Sequence, residues 1–494
     1  MVFFSSFFFP GRVLLRQLPG LLAGGLFTGM VVGCVVGVLR MTHTLAGGFI
    51  ADMLAAHALL FAPVWFLVLI FVAVLIRRLV LAVPLISGSG IPQTELALAG
   101  KLPLPWLHVL AAKFVGSWLA LAAGLALGRE GPSIQMGGAA GEGCGILWRK
   151  LAVRFPAWNR SDDREGKVFI PTALAKSPAM EPEAFHPRTF GELPTAAELS
   201  ERPLLQQHLR GSYWVTGGAV AGLAAAFGAP LAGILFAFEE MKCRFGFRLA
   251  LFACAAALGA HCVIRFGFQM GQILPFSAFM PLRLADSWVL VPLGIVLGMV
   301  GVAYNRSLLW LKDREAAQRL IPDRFRAVPP FLCAGIAALF LPQIAGGGES
   351  LIIQLGQTQM LLRLLFLLVA FKFAFALYSV TADIPGGLLM PILCLGALWG
   401  SLWGAVPMSL LAEGGFVAPG GGQACLLLGM AGFFAATVRA PLTGIALVME
   451  LSGAWTCLPS ALVVAFTAFV TANALRCPPV YDSLKSRIRL PVSP

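Results

Sequence analysis

The chain has 494 residues, of which 58% are hydrophobic and 12% are charged. Soluble domains average about 25% charged residues, so this composition excludes an ordinary soluble protein and predicts a polytopic membrane protein. The formal net charge of +13 is typical of basic cytoplasmic loops beside membrane spans, and it gives no reason to expect a nucleic-acid partner.

The first part of the chain, residues 1–156, is predicted to be transmembrane and to form the first half of a repeat. Leu59–Ile76 is a run of 18 apolar residues that ends at Arg77 and Arg78, which is long enough to span a bilayer. Other apolar runs are too short, or too interrupted, to be simple spans. The 55 glycines and 33 prolines favour a bundle of broken, closely packed helices.

One motif of this part, Gly128–Pro132, places Arg129 and Glu130 inside a long apolar run. Charged residues so deep in hydrocarbon cost several kcal/mol unless they face protein or water, so they indicate a functional site. Pro132 suits the first turn of a new helix, whose free N–H groups and positive dipole end attract an anion. The alternative is a salt-bridged kink between packed helices, and the motif alone leaves both interpretations open.

Composition changes over residues 157–210, where 15 of 54 residues are charged. We predict a polar insertion there, and basic flanking residues such as Arg149 and Lys150 place it on the cytoplasmic side. Beyond it we expect the end of repeat 1, a transmembrane repeat 2 and a short basic cytoplasmic tail, over residues 211–270, 271–476 and 477–494.

Three segments recur in the second half, which predicts two related halves. The pairs are Ala229–Leu235 with Ala440–Ala446, Gly88–Gly90 with Gly346–Gly348, and Pro132 with Pro391, at offsets of 211, 258 and 259. The smaller offset is explained by an insertion of about 50 residues in the first half only. Related halves with helix breaks at matching places are typical of secondary transporters, whose site lies between the halves.

Four separated segments are expected to converge on such a site. They are Ser87–Pro92, Gly128–Pro132, Gly386–Pro391 with the amides of Leu388 and Leu389, and Tyr481. Taken alone, Tyr481 is more often an interfacial aromatic residue than a ligand.

The motifs together resemble those of the CLC family of chloride channels and chloride/proton exchangers. They are GSGIP at 88–92, GREGP at 128–132, FGAPLAGILFAFEE at 227–240, AGGG at 345–348, PGGLLMP at 385–391, VRAPLTGIALVME at 438–450 and PPVYDSL at 478–484. The resemblance covers nearly the whole chain outside 157–210. It implies an all-α polytopic membrane protein with two inverted repeats of broken, tilted helices, and a homodimer with one ion pathway per subunit.

The resemblance also implies roles for individual residues. Glu130 would be the gating glutamate, and Glu240 would transfer protons with Glu95 as a buried acidic partner. Chloride would be bound by Ser89, Gly131, Leu388, Leu389 and Tyr481. Arg129 and Lys113 would raise the local potential, although either could be part of a structural pair.

The implied function is secondary active transport of chloride coupled to proton antiport. An acid at Glu240 favours exchange, and the alternative is a passive voltage- or proton-gated chloride channel on the same fold. Two residues depart from the family pattern: Leu389 replaces the usual phenylalanine, and Gln93 replaces a frequent glutamate.

Several other polar residues are interpreted as structural. Glu239 is either functional or paired with Lys242 and Arg244 at the surface, and three further acids are expected to be structural: Glu142, Asp383 and Glu450. The ten cysteines and six histidines show no spacing typical of a metal site. We therefore expect no metal and no cofactor. We also expect no enzymatic activity, and we expect the protein to lie in the bacterial inner membrane with both termini cytoplasmic.

Overall fold

The computed structural model describes residues 12–154, 203–243, 246–279, 282, 284–317, 321–415 and 422–488. The helices follow in the order α1 (Arg12–Ala82), α2 (Ile91–Leu98), α3 (Trp106–Ala122), α4 (Glu130–Arg154), α5 (Pro203–Phe227), α6 (Pro230–Glu239), α7 (Phe247–Cys262), α8 (Leu290–Ala317), α9 (Val328–Phe340), α10 (Glu349–Gln357), α11 (Leu362–Thr381), α12 (Leu389–Ala405), α13 (Pro407–Glu413), α14 (Ala424–Val438), α15 (Pro441–Ser452), α16 (Leu458–Ala474) and α17 (Val480–Lys485). The predicted all-α architecture is confirmed.

Seven helices within the described ranges are long and apolar enough to cross a membrane. They are Leu18–His57, Leu60–Ala82, Phe247–Gly267, Asp286–Ala317, Leu362–Thr381, Leu389–Glu413 and Trp455–Ala474. The first two belong to α1 and are separated at His57, whose backbone is not helical (φ −137°, ψ 39°). The second contains most of the predicted Leu59–Ile76 span.

The two halves of the chain repeat each other in detail. Pro84–Ile86 and Pro342–Ile344 are matching 3-10 turns, and each is followed by a glycine with a left-handed backbone, Gly90 or Gly348, at the start of a helix. In both halves a buried lysine holds the turn. Lys113 Nζ donates to the carbonyls of Ile86 and Gly88, and Lys372 Nζ donates to those of Ile344 and Gly346.

The contacts between the halves are reciprocal. Gly88 N donates to Asp383 O at 3.2 Å, while Gly346 N donates to Gly124 O at 2.8 Å. Gly128 and Gly387 form an isolated antiparallel bridge, with N···O distances of 2.8 and 2.6 Å. An exchange of equivalent contacts indicates an approximate twofold axis between the halves, and the antiparallel bridge means that the equivalent segments run in opposite directions, as in inverted repeats.

Glycines let the long helices of each half approach closely. A side chain at Gly137 or Gly141 of α4 would collide with the backbone of α5, and one at Gly396 or Gly400 of α12 would collide with that of α14. These glycines occupy equivalent positions at an offset of 259. Small residues four apart are the usual means by which membrane helices bring their backbones together.

Two predicted boundaries differ in the structure. The insertion was expected to end at residue 210, but α5 begins at Pro203, where a proline suits the first turn of a helix. Residues 157–202 lie outside the described residues. The segment predicted as the tail contains α17, which packs against α2 and α14 and buries the Tyr481 side chain.

Candidate functional site

Two helices begin face to face at the centre of the molecule. α4 begins at Glu130 and α12 at Leu389, and the Gly128–Gly387 bridge joins the backbone just before each start. The first helical amide donors are Ser133 N and Ile392 N, which donate to Arg129 O and Leu388 O directly before the two helix starts. The amides before them have no acceptor within their own helix, so two positive dipole ends and several N–H groups converge on one place.

Four of the five predicted chloride-binding residues lie around this meeting point. A Cβ built on Gly131 would be 3.0 Å from Ser89 Cβ and 3.1 Å from Gly387 Cα, so these segments are in direct contact. Leu388 and Leu389 follow Gly387 and are fully buried. Ser89 Oγ accepts a hydrogen bond from Ile91 N at 3.3 Å, and this leaves the hydroxyl proton for another acceptor.

Tyr481, the fifth predicted ligand, is buried and is not an interfacial aromatic residue. Among the described residues its hydroxyl has no hydrogen-bond partner, and it lies within electrostatic range of both Glu130 and Glu240. A buried hydroxyl is rarely left without a partner, so this one suits an anion or a water molecule.

Tyr304 on α8 was not predicted from the sequence. It is completely buried, its hydroxyl also has no hydrogen-bond partner within the described ranges, and it interacts electrostatically with Tyr481. The aromatic rings of Phe373 and Phe433 meet its ring edge-on at centroid distances of 5.6 and 5.9 Å. The only signal in the sequence is the polar pair Tyr304–Asn305 within an apolar helix.

The carboxylate of Glu130 lies at the meeting point itself. Glu130 is 1% exposed, and the Met390 amide at the start of α12 is a hydrogen-bond partner of its carboxylate. Its Oε2 atom has no partner and is next to Gly387, where a Cβ would be 3.2 Å away. The side chain therefore already uses a donor that an anion at the α12 start would need.

Charged residues surround Glu130 on one side. Arg129 Nη2 forms an ion pair with Glu349 Oε2 at 3.0 Å, and the buried Arg40 of α1 is within electrostatic range of Arg129, Glu349 and Glu130. We call Glu130, Arg129, Glu349 and Arg40 the Glu130 cluster. Arg40 and Glu349 were not singled out from the sequence, although Arg40 follows 23 uncharged residues.

A second group of charges surrounds Glu240, which directly follows α6 and is 5% exposed. Glu95, Asp482 and Lys242 all interact electrostatically with it. Lys485 Nζ forms an ion pair with Glu95 at 2.8 Å, and Lys242 Nζ forms one with Asp482 at 2.7 Å. We call these five residues the Glu240 cluster. The structure thus brings Glu95 and Glu240 together as predicted.

The surface pairing considered for Glu239 is wrong for Lys242, which binds Asp482, and Arg244 lies outside the described residues. Glu239 instead caps α15, accepting hydrogen bonds from the amides of Leu442 (3.2 Å) and Thr443 (2.8 Å). Glu450 does the same for α6, with Leu231 N at 2.9 Å and Ala232 N at 2.8 Å. Carboxylates at helix N-termini satisfy free amides and complement the dipole, so both acids have structural partners.

Two other predicted residues hold the Ser87–Gly90 loop. Lys113 binds backbone carbonyls, which corresponds to the structural alternative for this residue. Gln93 Nε2 donates to Ser87 O at 2.9 Å, a bond that a glutamate could not make.

The chain is similar to known proteins over most of its length. A family model described as "Voltage gated chloride channel" matches residues 68–175 and 191–473. The chain is 28% identical over 479 residues to the H(+)/Cl(-) exchange transporter ClcA of Vibrio vulnificus (strain YJ016), covering 94% of this chain and 89% of that protein. It is 29% identical over 488 residues to ClcA of Salmonella schwarzengrund (strain CVM19633), covering 94% and 88%.

Solved structures share the fold. A slow cyanobacterial Cl-/H+ antiporter superposes with a TM-score of 0.79 at 26% identity, covering 94% of this chain and 97% of that one. A CLC-type fluoride/proton antiporter superposes with a TM-score of 0.66 at 18% identity, covering 96% and 99%, which is a likeness of fold alone. The family model matches well over half of the chain, and with the inverted repeats and paired helix starts it shows that this chain belongs to the CLC family of voltage-gated chloride channels.

Proposed function

We propose that this protein exchanges chloride for protons across a membrane. The observation that carries the proposal is the placement of two buried glutamates, Glu130 and Glu240, with Tyr481 in electrostatic range of both. The relatives described as H(+)/Cl(-) exchange transporters and as a Cl-/H+ antiporter support it.

Chloride binds at the start of α12, between the hydroxyls of Ser89 and Tyr481 and the amides of Leu388 and Leu389. Gly131 allows the backbone of α4 to approach the same ion. Hydroxyls and amides attract an anion without the strong trap of a full positive charge, so the ion can leave again.

Glu130 acts as the gate. When it is ionised, its carboxylate occupies donors that chloride needs, because two anions cannot share one small site cheaply. When it is protonated, the carboxyl group loses its attraction to the helix start and moves away, taking its proton with it. Anion binding and proton binding at this place are therefore coupled.

Glu240 exchanges protons with the other side of the membrane. The charged side chains near Glu240 that are partly exposed to solvent are Lys242, Asp482 and Lys485. Glu95 is a second buried acid beside it. Tyr481 interacts electrostatically with both glutamates. We therefore propose that the proton moves along a chain of water molecules that passes the Tyr481 hydroxyl.

The experiment uses purified protein in liposomes loaded with chloride. An outward chloride gradient is imposed, and external pH is recorded for the wild type and for Glu240→Gln. Proton movement against its own gradient that is abolished by this substitution is the expected result. Chloride flux without proton movement in the wild type would contradict exchange and would indicate the alternative, a passive chloride channel.

The assembly and the location belong to the same proposal. We propose a homodimer with one pathway per subunit in the bacterial inner membrane, with both chain ends on the cytoplasmic side. The exposed basic residues Arg149 and Lys150 at the end of α4, and Lys242 after α6, support the cytoplasmic assignment of that face. Chemical crosslinking in native membranes tests the dimer, and a monomeric product at saturating crosslinker would contradict it.

A further inference from the structure

Arg40 is a buried arginine that the proposed mechanism does not use. It lies in α1 after the uncharged stretch Leu18–Leu39, and it is 6% exposed. Twenty-two helical residues extend about 33 Å, which is the thickness of the hydrocarbon layer. Arg40 also lies inside the apolar helix Leu18–His57, and a buried arginine within a membrane-crossing helix indicates a function in the ion pathway or a specific partner.

The partner that Arg40 contacts directly is uncharged. Its Nη1 donates to Ala225 O at 2.8 Å, and the Nε of Arg129 donates to the next carbonyl, Ala226 O, at 3.3 Å. Both carbonyls belong to the last turn of α5, which ends at Phe227. Carbonyl groups in the last turn of a helix accept no hydrogen bond from within that helix, and they form its negative dipole end. They can therefore bind two guanidinium groups side by side.

The charges of the Glu130 cluster balance in one state only. Two arginines, Arg40 and Arg129, face two glutamates, Glu349 and Glu130. His43, one turn further along α1, is within range of Arg129 and Glu349. With Glu130 ionised, the two arginines and two glutamates sum to zero; once Glu130 is protonated, one positive charge is left in a buried place.

The excess charge lies mainly on Arg40. Arg129 has an anionic partner 3.0 Å away in Glu349, whereas the hydrogen bond of Arg40 goes to a neutral carbonyl. A buried cation attracts an anion strongly, because the low dielectric of its surroundings screens little.

We propose that Arg40 is a positioning residue for chloride at the Glu130 end of the pathway, where its charge recruits the anion when Glu130 is protonated. This inference rests on the proposed function, since it needs chloride to enter past Glu130. It acts through charge rather than through contact with the ion, so its effect is expected in chloride affinity and not in the maximal rate.

The test measures chloride binding to detergent-solubilised protein by calorimetry and chloride flux in liposomes. The variants are Arg40→Gln, Arg40→Lys and Glu349→Gln, and Arg363→Gln at the exposed start of α11 is the matched control. We expect Arg40→Gln to weaken chloride binding about tenfold, the effect of removing one nearby charge at an intermediate dielectric. Arg40→Lys keeps the charge and stays within about twofold of the wild type.

Glu349→Gln gives the result that a purely structural role would not. Removing this anion adds one net positive charge, so chloride binding tightens several-fold, in the opposite direction to Arg40→Gln. It also keeps the inference testable if Arg40→Gln does not fold.

Each other outcome has a definite meaning. Equal chloride affinity in Arg40→Gln and the wild type, or loss of affinity in Arg40→Lys as large as in Arg40→Gln, would overturn the assignment. A reduced maximal flux at unchanged affinity would also overturn it and would make Arg40 a structural anchor. A wild-type protein that neither binds nor transports chloride would overturn the proposed function itself.

Discussion

Two buried phenols, Tyr304 and Tyr481, carry hydroxyls that have no hydrogen-bond partner in the part of the chain that the structure describes. A buried polar group without a partner costs about 1 to 3 kcal/mol, so a folded protein keeps such groups mainly where something else binds them. Tyr481 was predicted as a ligand and Tyr304 was not. Their proximity indicates that the hydrogen-bonding space around the ion extends towards α8.

We therefore expect Tyr304→Phe to weaken chloride binding by a factor of about 2 to 10, the value of one hydrogen bond. Calorimetric titration with chloride measures the effect, and Tyr378→Phe on the half-buried end of α11 is the control. If affinity is unchanged while thermal stability rises, the hydroxyl is an unpaired group without a function.

Glu130 gives the sharper residue-level prediction. Glu130→Ala removes the carboxylate that lies at the α12 start, so we expect proton flux to fall to the background of empty liposomes while chloride flux persists. Paired recordings of external pH and chloride efflux measure both quantities, with Glu413→Ala at the exposed end of α13 as the control. Proton flux at the wild-type level in Glu130→Ala would remove Glu130 from the gate.

The ends of α3 and α11 show how equivalent elements have diverged. α3 is followed by Ala123 and Gly124, and α11 by Ala382 and Asp383; Gly124 and Asp383 both have a left-handed backbone, at φ 81° and 57°. Glycine adopts this conformation freely, whereas other residues pay roughly 1 kcal/mol. Asp383 has a compensation, an ion pair of 2.7 Å with Lys312 beside the Ser89 loop.

This comparison predicts different stabilities for two substitutions of Asp383. Asp383→Gly loses a half-exposed ion pair worth about 0 to 1 kcal/mol and relieves a similar backbone cost, so its stability stays near that of the wild type. Asp383→Ala loses the ion pair and keeps the backbone cost, so it is less stable than Asp383→Gly by about 1 kcal/mol. Thermal unfolding in detergent compares the two, and equal midpoints would contradict the backbone argument.

At the scale of the whole molecule, the inverted repeat is held by exchanged caps. Glu239 at the end of α6 caps α15, and Glu450 near the end of α15 caps α6. The two helices therefore lie antiparallel, and each satisfies the free amides of the other. The proposed anion site is shared in the same way, because its two main helix starts come from different halves.

We expect Glu450→Gln to destabilise the protein by about 1 to 2 kcal/mol, the usual value of a helix cap, without changing chloride selectivity. Glu239→Gln is expected to cost a similar amount, since its contacts are equivalent. Thermal unfolding in detergent measures both, against Glu413→Gln as an exposed control. A loss confined to one of the two variants would show that the caps are not equivalent in energy.

The sequence was sufficient to predict the start of a helix where a motif and its partner in the other repeat agree. Glycines and prolines at matching offsets predicted the helix starts near Glu130 and Leu389, because a proline is favoured in the first turn of a helix and glycines before it let the chain turn. The sequence was not sufficient to identify single functional residues inside apolar helices, such as Arg40 and Tyr304. The partner of Glu239 lies more than 200 positions away, and only the twofold arrangement of the helices brings it into contact.

The exchanged caps also have a consequence for the order in which the protein is made. The amides of Leu231 and Ala232 gain their acceptor only when Glu450 has been synthesised, 219 and 218 residues later. Until then the start of α6 has open donors in or near the bilayer, so it needs water or an insertion factor beside it. A ribosome that stops between the repeats leaves a fragment with an unfinished helix, which membrane quality control can recognise. The helix start of α6 in the first repeat is therefore capped only after Glu450 of the second repeat has been synthesised.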